Sequence, residues 1–132
     1  MNPRQFLTIG GVILLVLGVL GFILPGGQLL GDQLFFDGAE NIAHTILGIV
    51  ALIAAYVLSV QLQKWLVIVV GVVALITTVA GFIVVGAANP NLGVTNLEVL
   101  DDILHLVVGV WALWAALRPM PAAEMAPRPA IS

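Results

Sequence analysis

Four long apolar stretches dominate the chain, at roughly residues 5–24, 41–60, 65–87 and 102–117, and every charged residue except Asp102 lies outside them. Each is long enough to cross a hydrocarbon layer of ~30 Å at 1.5 Å per residue. The last is the shortest and reaches from about residue 99 if its acidic start sits among headgroups. Lipid offers no partner to free backbone groups, so the four stretches are expected as helices, giving an all-α polytopic integral membrane protein with four transmembrane helices. Runs this long carry no strand signal. The first stretch follows Arg4 and is read as a span, not a signal peptide, because it exceeds a typical signal core and "LPGGQ" is a poor cleavage site.

Composition agrees with this reading. Of 132 residues 61% are hydrophobic and only 8% charged, with mean hydropathy +1.19. A soluble domain of this size cannot hide so much apolar surface, so the bilayer is the expected solvent and partner. The chain has no cysteine, which removes disulfides, thiolate metal sites and cysteine nucleophiles. Four basic residues are too few for a nucleic-acid footprint.

The distribution of charge says more than its sum of −3. Arg4, Lys64, Arg118 and Arg128 fall on one side of the spans; Asp32, Asp37, Glu40, Glu98, Asp101 and Asp102 fall on the other, and only Glu124 joins the basic side. The positive-inside rule places both termini in the cytoplasm. Trp65, Trp111 and Trp114 stand toward the basic ends, as an interfacial belt would. The expected location is the bacterial inner membrane. The outward segment "PGGQLLGDQLFFDG", 25–38, interleaves Leu29, Leu30, Leu34, Phe35 and Phe36 with polar residues, as a stretch lying on the membrane surface would. "ANPNLGVTN", 88–96, is turn-rich. A transmembrane unit over 1–117 is therefore followed by a cytoplasmic tail, 118–132, whose prolines predict disorder.

The two halves resemble each other. "GV" at 11–12 meets "GV" at 71–72 and "GFI" at 21–23 meets "GFI" at 81–83; in the second span of each half, Glu40 meets Asp101, His44 meets His105, Gly48 meets Gly109 and "ALIAA" at 51–55 meets "ALWAA" at 112–116. Repeat 1 covers about 5–60 and repeat 2 about 65–117. Two spans per half make this a parallel 2+2 repeat, whereas alternating-access transporters favour inverted ones.

The repeat contains the only two histidines. Glu40 to His44 and Asp101 to His105 are i,i+4 pairs sharing a helix face, with Asn41 and Asp102 three residues before each histidine. The acids would sit at helix N-termini and each histidine about 6 Å deeper. Four uses compete. The histidines could clasp helix 2 to helix 4, with Gly48 and Gly109 allowing close approach. Glu40, His44, Asp101 and His105 are a reasonable donor set for a divalent metal. His44 and His105 could be axial ligands of a haem or chlorin. A proton or ion path is the fourth, although no third buried acid or base continues it. Glycines 10, 11, 18, 21, 71 and 81 mark helix contacts more readily than a cofactor slot. No serine has a base beside it and no glycine loop follows a strand, so nucleophilic catalysis and phosphate binding have no support.

"GFI", "ENIAHTILGIVAL" and "LDDILHLVVGVWAL" together resemble DUF4383, a family of small bacterial four-helix membrane proteins of unknown function. The resemblance covers about residues 5–117 and implies an Asn/Asp-x-x-x-His with a following glycine in both halves, so that His44, His105, Gly48, Gly109 and the acids before the histidines are the motif positions. The family pattern has a further histidine before the asparagine, where this chain has "FFDGAE". The expected role is a non-enzymatic scaffold or accessory subunit, as a homo-oligomer or with other membrane subunits and with no cofactor. The alternatives are a haem, chlorin or metal binder in a photosynthetic or respiratory complex, and a small transporter or ion pathway.

Overall fold

A computed structural model describes residues 1–29, 36–84 and 99–119. The protein is all-helical, and no strand forms among these residues. Helix α1 spans Pro3–Ile23, α2 Gly38–Val57, α3 Val60–Val84 and α4 Val99–Leu117, with a short 3₁₀ turn at Pro25–Gly27. All four helices are long and apolar enough to cross a membrane. The shortest, of 19 residues, is about 28 Å long.

Local chemistry sets the helix starts. Asn2 Oδ1 accepts from Gln5 N and Gln5 Oε1 accepts from Asn2 N, both at 2.9 Å. This reciprocal cap, with Pro3 in the first turn, opens α1. Asp37 Oδ1 accepts from Ala39 N and Glu40 N, and Glu40 Oε2 accepts from Asp37 N at 3.1 Å. That cap starts α2 at Gly38, three residues before the expected 41. Helix α3 begins at Val60 rather than near 65, because the connection from α2 is only Leu58–Ser59. Lys64 is thereby part of the helix.

The chain folds as two antiparallel hairpins, α1 with α2 and α3 with α4; α1 touches α3 and α4 more sparsely. The seams are built from small residues. Buried positions recur along α1 at Pro3, Leu7, Gly11, Gly18 and Gly21, and along α3 at Gln63, Val67, Gly71, Thr78 and Gly81. On the partner helices they recur at Asn41, Gly48 and Ala55, and at Asp102, Gly109 and Ala116. Gly11 stands against Gly48 O, and Gly109 against Gly71 O. Lipid is as apolar as leucine, so close backbone approach is what holds such helices together.

A core of Phe6, Leu7, Ala54, Ala55, Val67, Ala112, Ala115 and Ala116 closes the basic end. There Phe6 meets the Trp111 ring edge-on at 4.6 Å, and Trp111 Nε1 donates to Met1 Sδ at 2.8 Å. Trp111 therefore belongs to the packing, while Trp65 and Trp114 are exposed as an interfacial belt requires. Outward faces carry large apolar side chains, among them Ile13, Ile46, Ile53, Val69, Ile76 and Val107. A water-soluble bundle would cover such faces.

At the opposite end Gly26 and Gly27 turn the chain with φ of 65° and 69°. Gly27 O accepts from Phe36 N at 3.1 Å, and a Cβ on Gly27 would overlap Phe36 O. Phe36 is buried, so the expectation that it lies on the membrane surface is corrected: this backbone pairing draws it inward. The rest of the expected surface segment, at 30–35, lies outside the described residues, as do 88–96, the tail from 120, and Asp32, Glu98, Glu124 and Arg128.

Candidate functional site

The acidic ends of α2 and α4 hold most of the buried polar chemistry. Asn41, the fourth residue of α2, packs directly on Gly21 of α1, where a Cβ would overlap Asn41 Oδ1. Its Nδ2 donates to Phe36 O at 3.3 Å, and Thr45 Oγ1 donates to Asn41 O at 2.8 Å. Asp102, the fourth residue of α4, packs in the same way on Gly81 of α3, where a Cβ would overlap its carboxylate. Thr78 Oγ1 lies 3.0 Å from Ala74 O and 3.3 Å from Asp102 O, its single proton serving one at a time. Positions 41 and 102 are therefore inter-helix contacts within each hairpin. Their part is more than that of companions to the histidines on the same helix.

The two acid–histidine motifs do different work. In α4 the pair closes. His105 Nδ1 lies 3.0 Å from Asp101 O and 3.2 Å from Asp101 Oδ2. A carbonyl can only accept, so the shorter contact has Nδ1 donating to Asp101 O, and Asp101 Oδ2 stands beside it without a hydrogen bond. In α2 the Glu40 carboxylate turns back to cap the helix, and His44 Nδ1 has no hydrogen-bond partner among the described residues. The His44 ring instead meets Phe36 edge-on at 4.9 Å. The expectation of two equivalent acid–histidine pairs is thus corrected, because the Asp37 cap recruits Glu40.

His44 and His105 lie near the starts of α2 and α4, so the two motifs share one end of the bundle. Asp101 and Asp102 are 3% and 0% exposed, and among the described residues both carboxylate oxygens of Asp102 lack hydrogen-bond partners, as does Asn41 Oδ1. Unpartnered polar atoms in a buried setting are costly to desolvate. Of the expected metal donors, Glu40, His44, Asp101 and His105, the structure joins Asp101 to His105. Among the described residues no three acid or histidine side chains converge to hold a metal ion. Gly48 and Gly109 lie farther along the seams, against Leu15 N and Leu75.

Gln63 belongs to no motif in the sequence. It is 1% exposed, and its Nε2 lies 3.2, 2.9 and 3.0 Å from Ala54 O, Ala55 O and Leu58 O. The two protons of one side-chain amide thus serve the end of α2, where Ala54 O also accepts from Leu58 N at 3.2 Å. The available signal was its register with Val67, Gly71, Thr78 and Gly81 on the buried stripe of α3. No family model, curated protein or solved structure matches the chain.

Proposed function

We propose that the protein is a small integral-membrane scaffold or accessory subunit of a larger membrane complex, without catalysis of its own. It resides in a bacterial inner membrane with both termini in the cytoplasm. The observation that carries this reading is the placement of polar side chains. Asn41, Gln63 and Thr78 hydrogen-bond inside the bundle and the buried Asp102 packs on Gly81, while the outward faces are apolar along all four spans. Such faces suit lipid and the helices of other membrane subunits. Matching buried positions in the two hairpins support a 2+2 repeat made by duplicating one hairpin. We assign the chain to a DUF4383-like group on its two motifs. Native mass spectrometry of gently solubilised membranes, with in-membrane crosslinking, tests the role. A stoichiometric assembly is expected, with copies of this chain or with other membrane proteins. A persistent monomer without co-purifying protein overturns the proposal.

One observation favours a second reading. Among the described residues His44 Nδ1 has no hydrogen-bond partner, as in a histidine held for a haem, chlorin or metal. An absorption spectrum and metal analysis of protein from its native membrane separate the two. This reading requires a cofactor band or stoichiometric metal that disappears in His44→Ala or His105→Ala.

A further inference from the structure

We draw no further inference here: the strongest candidate, the outward apolar groove on α4 lined by Leu106, Val107, Val110, Trp111 and Trp114, carries none because nothing in the structure shows what covers it.

Discussion

Glycine 81 shows how little room the seams leave. A single methyl group there would occupy the space of the Asp102 carboxylate, and one on Gly48 would press on Leu15 N at 2.7 Å and Gly11 O at 2.9 Å. The neighbour of Gly81 is a side chain that can shift; the neighbours of Gly48 are backbone that cannot move without parting the helices. Both Gly81→Ala and Gly48→Ala are expected to destabilise by about 1–3 kcal/mol. Gly10, with nothing within 4 Å, accepts alanine without loss. Thermal melts in detergent followed by circular dichroism check the order. Combining Gly81→Ala with Asp102→Ala should recover part of the Gly81 loss, since contacting residues couple. If the two losses simply add, Asp102 is not what crowds position 81. The aligned asparagine and aspartate were readable from the sequence as a pair. Their glycine partners were not, because spacing along one helix reveals neighbours on that helix only.

Helix boundaries depended on contacts that periodicity does not encode. The four spans were readable from length and hydropathy alone, since lipid admits few other structures. Their starts moved outward where a cap or a tight turn intervened: Asp37 drew α2 back to Gly38, and the Leu58–Ser59 turn let α3 begin at Val60. Gln63 makes that turn possible by meeting the carbonyls at the end of α2. Replacing it with leucine keeps the volume and removes the donor. Gln63→Leu should cost about 1–3 kcal/mol. It should also expose the turn, giving faster protease cleavage near residues 58–59 in proteoliposomes. Unchanged cleavage and an unchanged melt would mean that the end of α2 is satisfied without Gln63.

The bundle as a whole separates its charges, with Arg4, Lys64 and Arg118 at one end and the described acids at the other. This polarity was plain in the sequence, and it motivates the proposed cytoplasmic termini. The chain lacks cysteine, so single reporters can be introduced without background. A cysteine at Gly38, an exposed position with open space around it, should react with a membrane-impermeant maleimide in intact cells. One at exposed Ser59 should react only after the cells are opened. Labelling of Ser59→Cys alone in intact cells would reverse the orientation. The asymmetry between the two histidine motifs was not readable, because it arises from a competition for Glu40 that only the folded cap decides.

The two-residue turn at Leu58–Ser59 also shapes how the protein would come apart under load. It joins two hairpins whose internal seams are denser than the contacts between them. Tension applied at the carboxyl end reaches α4 first, yet α4 is locked to α3 through Gly71, Gly109 and the Asp102 joint. The mechanical unit is therefore the hairpin. Drawn from a bilayer by a cantilever, the chain should leave it in hairpin-sized steps, with Leu58–Ser59 as the hinge where the first extraction ends and the second begins.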